Sequence, residues 1–225
     1  MGSLATSKEL CHLISTQSDE VALFFSGGKD SIALLDIMYP YFNKIHLVNM
    51  YFVKGLAHVD KYMTAAQIRY KNVCPLYMEH WIVSMLRSVG RYCLPTYERV
   101  LRLSDIDQLV RDLTGVKYTF YGMKKSDSLN RRLMLSGYKN AISEKNKVYP
   151  LSDWSNKEVL AFIKMQRLSP PVTYSSNKRS QGVFFNTDVF LWLQENYPSD
   201  LIKIYKKFPF SRQILFEHVK QIPKV

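Results

Sequence analysis

Residues 21–35 read VALFFSGGKDSIALL. Val21 to Phe25 form a short, wholly apolar run, and such a strand is buried on both faces, as in parallel sheets. A second apolar run, Ser31 to Tyr39, has helical spacing and stops before Pro40. Between them lies Ser26-Gly27-Gly28-Lys29-Asp30-Ser31. A chain that turns from a buried strand straight into a helix offers the helix's first N–H groups to the turn, backed by the positive end of the helix dipole. Glycines let the turn close and let an anion approach with no Cβ in the way. Lys29 supplies positive charge, and Ser26 and Ser31 supply hydroxyl donors. These pieces together suit phosphate or sulfate.

The remaining pattern alternates strands and helices. Leu4 to Gln17 reads as an amphipathic helix, Lys44 to Val53 as a second buried strand, and His58 to Tyr70 as a helix. Asn72 to Met78 reads as a third strand shortened by Pro75, and Trp81 to Val89 as a helix closed by Gly90. A helix is expected over Ser104 to Leu113, with Ser104 as N-cap, Asp105 and Asp107 in its first turn, and Gly115 past its end. Val116 to Tyr121 reads as a fourth strand, Ser126 to Leu135 as a basic helix, Val148 to Leu151 as a last short strand, and Ser155 to Arg167 as a helix capped by Ser155. The spacing predicts an α/β fold, a doubly wound parallel sheet of Rossmann-like type, with ligands bound where the strand order reverses. LSPPVTYSSNKRSQG is a Pro/Ser-rich loop, and two or three helices are expected after it. We therefore expect a nucleotide-binding domain over 1–168 and a helical C-terminal extension over 169–225 packed on it. The aromatics Trp154, Trp192 and Phe184 to Phe190 read as core.

Composition sets the partners. The 225 residues carry 31 Lys and Arg against 19 Asp and Glu, a net charge of +12. That balance favours polyanions, nucleotides and nucleic acid among them. Tyr138, Lys139, Lys145, Lys147 and the KIYKKF segment are the residues expected to track a nucleic-acid backbone. No apolar run reaches transmembrane length, so no membrane partner is expected. Cys11, Cys74 and Cys93 are widely spaced and form neither a disulfide framework nor a zinc pattern, so free thiols in a reducing cytoplasm are expected and no side-chain metal site is assigned.

The glycine loop is not a Walker A loop: Lys29 is followed by Asp30, and Leu23 stands in the first glycine's place. SGGKDS after an apolar strand instead resembles the PP-loop of the N-type ATP pyrophosphatases. A second block, YGMKKSDSLNRR over Tyr121 to Arg132, resembles the G-x-R-x-x-E-S-x-x-R block of the phosphoadenosine-phosphosulfate (PAPS) reductase and ATP sulfurylase small-subunit family. Gly122, Ser128 and Arg131 match that block; Lys124 stands where the family has Arg, and Asp127 where it has Glu. VYPLSDWSNKEVLAFI resembles the family's PL-x-D-W block through Pro150, Leu151, Asp153 and Trp154, and KRSQG, with Arg179, resembles the segment before its C-terminal region.

The resemblance implies an adenine nucleotide held by Ser26, Gly27, Gly28, Lys29, Asp30 and Ser31 on one side and by Gly122, Met123, Lys124, Asp127, Ser128 and Arg131 on the other. It implies an enzyme, with Lys29, Lys124 and Arg131 carrying the chemistry and Asp30 holding the loop or facing the metal. ATP with Mg²⁺ is the first expected ligand and PAPS or adenosine phosphosulfate the alternative. Asp153 is expected to pin structure rather than hold Mg²⁺. The chain departs from the reductases in that no cysteine follows Cys93, whereas they carry a nucleophilic cysteine in E-C-G-x-H. The end of the second strand, NMYFVKG, also lacks the family's aspartate-threonine-glycine stretch. Adenylylation of a substrate with pyrophosphate release is therefore the leading expectation. A reductase using an external thiol is the second, and modification or binding of nucleic acid, tRNA or DNA, the third. A homodimer or a partner subunit is a further implication of the resemblance, and compact relatives without the terminal cysteine occur in phage and mobile-element genomes.

Overall fold

The computed structural model describes residues 2–171 and 185–216. Helix α1 (Gly2–Ser15) leads into β1 (Glu20–Phe24) and α2 (Lys29–Met38). Next come β2 (Lys44–Tyr51), α3 (Ala57–Arg69), β3 (Val73–Glu79) and α4 (Trp81–Ser88). Helix α5 (Leu103–Thr114) precedes β4 (Thr119–Phe120) and α6 (Leu129–Ser136); β5 (Lys147–Val148) precedes α7 (Asn156–Met165). Two further helices, α8 (Thr187–Asn196) and α9 (Pro198–Lys207), follow.

The strands form one parallel sheet in the order β3-β2-β1-β4-β5. The fold is α/β and doubly wound, as the alternation predicts. Val21, Leu23 and Phe25 point to one face of the sheet, where they meet residues of α1, α2, α3 and α7. Ala22 and Phe24 point to the other face, against Ile106 and Val110 of α5 and Leu135 of α6. This is why Val21 to Phe24 of β1 are all apolar, the exposed Glu20 standing at its start: both faces are covered. The chain winds to one side of β1 through β2 and β3 and to the other through β4 and β5, so the order reverses between β1 and β4.

A third cluster lies beyond the sheet. Val189, Phe190 and Leu193 of α8 and Leu201 and Ile204 of α9 pack with Val53 and Leu56, which follow β2, and with Val83 and Leu86 of α4. Trp154 and Phe190 are buried, Phe185 and Trp192 are half-buried, and Phe184 lies outside the described residues. Among the described residues no helix is long and apolar enough to cross a membrane.

Four local expectations are corrected. Pro75 does not shorten β3, which runs through it to Glu79. The bonds from Ile45 N to Asn72 O (2.9 Å) and from His80 N to Tyr51 O (2.9 Å) set a register in which the Pro75 nitrogen faces away from β2, at the sheet edge, where a missing donor costs no ladder bond. Ser104 does not cap α5; the helix begins one residue earlier, and Asp105 Oδ2 accepts the Arg102 N–H at 2.7 Å. The fourth strand shrinks to Thr119–Phe120, because the Lys117 carbonyl is taken by the Arg111 guanidinium instead of a neighbouring strand. The basic helix starts at Leu129 rather than Ser126, since Ser128 Oγ accepts the Arg131 N–H at 3.2 Å and caps it.

Candidate functional site

Strand β1 ends against β2, with Phe25 N donating to Val48 O at 2.7 Å. The chain then turns within three residues into α2. Gly27 takes a left-handed φ of +70°, and a Cβ there would sit 3.2 Å from Cβ and Cγ of Tyr62 on α3. Both the backbone and the space thus ask for glycine. The serine hydroxyls shape the loop: Ser31 Oγ donates to Gly28 O at 3.0 Å, lies 3.4 Å from Ser26 Oγ, and Ser26 Oγ accepts Gly28 N–H at 3.3 Å. Gly28 provides no side-chain cap for α2. The N–H groups of Lys29, Asp30 and Ser31 find no acceptor among the described residues. These are three of the four donors that every helix start leaves over.

The end of β4 lies directly against this loop. A Cβ on Gly122 would be 3.1 Å from Asp30 Cβ and 3.3 Å from Ser31 N, so only glycine lets the two segments touch. Past it, charges alternate in an unbroken chain. Lys29 Nζ bonds Asp30 Oδ2 at 2.8 Å, and Asp30 Oδ1 takes Lys124 Nζ at 2.5 Å. Lys124 Nζ also meets Asp127 Oδ1 at 2.8 Å, and Asp127 Oδ2 takes Arg131 Nη1 at 2.6 Å and the Lys124 N–H at 3.0 Å. The Lys124 side chain is 0% exposed, whereas that of Arg131 is 44% exposed at the outer end. Burial raises the Asp127 pKa, but the Lys124 ammonium and backbone N–H, helped by Arg131, outweigh it and hold the carboxyl below its usual range.

The sequence-predicted residues are thus brought together, with different surroundings. Ser26 to Ser31, Gly122, Lys124 and Asp127 form one continuous patch at the β1–β4 reversal. Met123 is half-buried and packs into the core on the α5 side. The Ser128 hydroxyl is occupied as the α6 cap. Asp153 pairs with Lys125 at 2.8 Å and accepts from Ser152 Oγ at 3.1 Å, so it pins the loop after β5 to the one after β4. Arg179 lies outside the described residues.

Two neighbours of the loop went unread in the sequence. Tyr62 backs Gly27, and nothing local to either residue signals that contact. Asn49, buried on β2, donates from Nδ2 to Phe25 O at 3.1 Å and holds the entrance to the loop. Its signal was available: it is the one amide side chain in an otherwise mostly apolar strand.

A family model described as "Phosphoadenosine phosphosulfate reductase domain" matches residues 20–188 of the chain. The chain belongs to the phosphoadenosine phosphosulfate reductase family. The match begins at the first residue of β1 and ends in the first turn of α8, so it includes both charged blocks of the site. No curated protein matches the chain. Among solved structures, the NH3-dependent NAD synthetase from Campylobacter jejuni subsp. jejuni NCTC 11168, in complex with the nitrate ion, matches at a TM-score of 0.49 and 15% identity, over 100% of this chain and 99% of that one. In this family member the surroundings of Cys11 and Cys93 disfavour the thiolate. Cys11 is buried in the core and its thiol is pushed up to about 12. Burial also raises the Cys93 thiol, and Cys74 is exposed on the edge strand β3.

Proposed function

We propose that this PAPS reductase family protein binds ATP in the Ser26–Ser31 loop and activates an acceptor by adenylylation. An oxygen nucleophile of the acceptor would attack the α-phosphorus. The bond from that phosphorus to the bridging oxygen would break, and pyrophosphate would leave into the loop. One observation supports this reading above the others: the first-turn N–H groups of α2 are left without an acceptor at the point where the sheet order reverses. The family membership supports an adenine nucleotide as the anion's carrier.

On this reading the residues divide by role. The N–H groups of Lys29, Asp30 and Ser31 hold the departing pyrophosphate, and the Lys29 ammonium stabilises its growing charge. Arg131, at the exposed end of the charged chain, reaches other anionic groups of the nucleotide. Lys124 is enclosed by Asp30 and Asp127, so we assign it the bracing of the second block against the loop rather than contact with phosphate. Among the described residues no three His, Cys, Asp or Glu side chains converge, so Mg²⁺ would be held by phosphate oxygens, with Asp30 the nearest carboxylate. Residues 1–168 would carry the nucleotide and 169–225 the helical extension.

Calorimetric titration with ATP·Mg²⁺, PAPS and adenosine phosphosulfate, on wild type and Lys29→Ala, tests the proposal. Preference for ATP that is lost in the variant is the expected result. Preference for PAPS, together with sulfite release in the presence of an external thiol, would replace adenylylation by sulfonucleotide reduction.

A further inference from the structure

Tyr62 of α3 meets two segments that are far apart in the sequence. Its Cβ, Cγ and Cδ2 lie 3.2–3.3 Å from where a Cβ on Gly27 would stand, at the residue whose φ of +70° turns the chain from β1 into α2. Its other end reaches the segment after α7: Tyr62 Oη donates to Pro170 O at 2.9 Å, across 108 residues of chain. Tyr62 is buried, yet its ring is not packed all round. It lines a cleft of about 500 Å³ and also a hollow of about 40 Å³, and Ser169, next to Pro170, lines both. The backbone beneath the ring is fixed separately. Asp200 on α9 accepts the N–H groups of Ala57 at 2.9 Å and His58 at 3.0 Å, in the turn of α3 before Tyr62.

These contacts make the ring a strut. Helix α3 fixes the Tyr62 Cα, and the bond to Pro170 fixes the tip of the ring. A ring beside open space can turn about its side-chain torsions unless its tip is held, because packing alone does not confine it there. The edge that is held in this way is the one against Gly27. A glycine at positive φ has no side chain to fix its own turn, so the group packed against its Cα decides where the N–H groups after it point. Those are the N–H groups of Lys29, Asp30 and Ser31, which find no acceptor among the described residues.

We propose that Tyr62 is a positioning residue of the glycine loop, and that the loop's affinity for pyrophosphate depends on the bond from Tyr62 to Pro170. Its action passes through Gly27. The segment after α7 thereby belongs to the working parts of the anion site. This rests on the reading of the loop as a pyrophosphate site, and it does not need the adenylylation step. Coupling of this kind is reciprocal: whatever factor the bond adds to anion affinity, a bound anion returns to the hold on Pro170.

The test is calorimetric titration with pyrophosphate and Mg²⁺, and separately with ATP and Mg²⁺, on wild type, Tyr62→Phe and Tyr62→Leu. Thermal melts set a temperature at which each variant is folded. Tyr62→Phe keeps the ring and removes only the bond to Pro170. It is expected to weaken pyrophosphate binding about three- to tenfold, and Tyr62→Leu at least as much. Hydrogen exchange reads the reciprocal effect at Leu168, whose N–H donates to Ile163 O at 3.0 Å two residues before Pro170. Saturating pyrophosphate should slow that exchange in wild type and not in Tyr62→Phe, which a merely structural tyrosine would not produce. Should Tyr62→Leu fail to fold, Tyr62→Phe decides. A lowered melting temperature with unchanged pyrophosphate affinity in Tyr62→Phe overturns the proposal, as does wild-type exchange at Leu168 that ignores pyrophosphate. Wild type that binds ATP, with both variants equal to it, removes the role of Tyr62 and leaves the ATP reading standing. Pyrophosphate binding that weakens in Tyr62→Phe, in a protein that does not bind ATP, keeps the role and removes that reading. Wild type that binds neither overturns both.

Discussion

Helices α2 and α3 begin in the same way and end up differently. Each follows a central parallel strand, and neither has a capping side chain at its own N-cap, Gly28 in one and Leu56 in the other. At α3 the gap is filled from far along the chain. Buried Asp200 on α9 accepts the N–H groups of Ala57 at 2.9 Å and His58 at 3.0 Å, and its Oδ2 lies 2.7 Å from His58 Nδ1. At α2 nothing among the described residues fills it. The other helices that follow strands are also capped by side chains: α4 by His80 Nδ1, α6 by Ser128 and α7 by Ser155. Of the five helices that follow strands, α2 alone lacks a cap among the described residues, and that is where the proposed function puts the anion. The lesson is that a missing cap means little until the whole fold has been searched for a remote one.

The comparison can be broken most forcefully at Asp200. Asp200→Ala takes the carboxylate from the part-buried Ala57 N–H, the buried His58 N–H and the His58 imidazole. A loss of about 3–5 kcal/mol is expected, read from the urea midpoint, while Asp200→Asn should recover part of it. Unchanged stability would mean that α3 does not depend on the remote cap.

Lys29→Ala should act at the open helix in the opposite manner. Pyrophosphate release is expected to fall by about 100-fold, with stability changing by less than about 1 kcal/mol, because the Lys29–Asp30 pair is partly solvated. A large loss of stability with little loss of activity would make α2 resemble α3.

The His80 cap sharpens the comparison by titration. Burial lowers the His80 imidazole to about 4. The unfolded chain, with its histidine near 6.5, therefore takes up a proton that the folded one refuses. Stability should fall as pH drops from about 6.5 to about 4, by up to about 3 kcal/mol, and His80 should contribute no slope above that window. Protonation of Nδ1 would also displace the Ile82 N–H it accepts at 3.2 Å. His80→Asn should flatten the slope in a series of melts.

The smallest effect is expected at Gly27. Gly27→Ala must adopt a φ of +70° and press on Tyr62, at a cost of about 1–2 kcal/mol. Because the strain falls on the loop, nucleotide affinity should weaken alongside the melting temperature.

Much of this was legible before folding. The apolar run of β1, the helical spacing of α2 and the composition of Ser26 to Ser31 are local signals, and local chemistry settles them: side-chain period, glycine at the turn, and the polarity of a helix start. The order of the charged blocks pointed to the second half of the candidate site. What was not legible came from contacts between distant residues. Lys124 and Arg131 look alike in the sequence, yet one is enclosed by two carboxylates and the other faces solvent, because Gly122 lets β4 dock directly on α2. The length of β4 was overread because the Arg111 side chain competes for its backbone.

The sequence by itself determined the α/β architecture and the class of loop that closes it, since both depend on periodicity and on residues adjacent in the chain. The tertiary structure alone decided which helix start stays open, which lysine is buried, and that Tyr62 of α3 backs the glycine loop. Those outcomes depend on burial and on partners up to 143 residues away, and no local pattern encodes the free energy of a contact that exists only once the chain has packed.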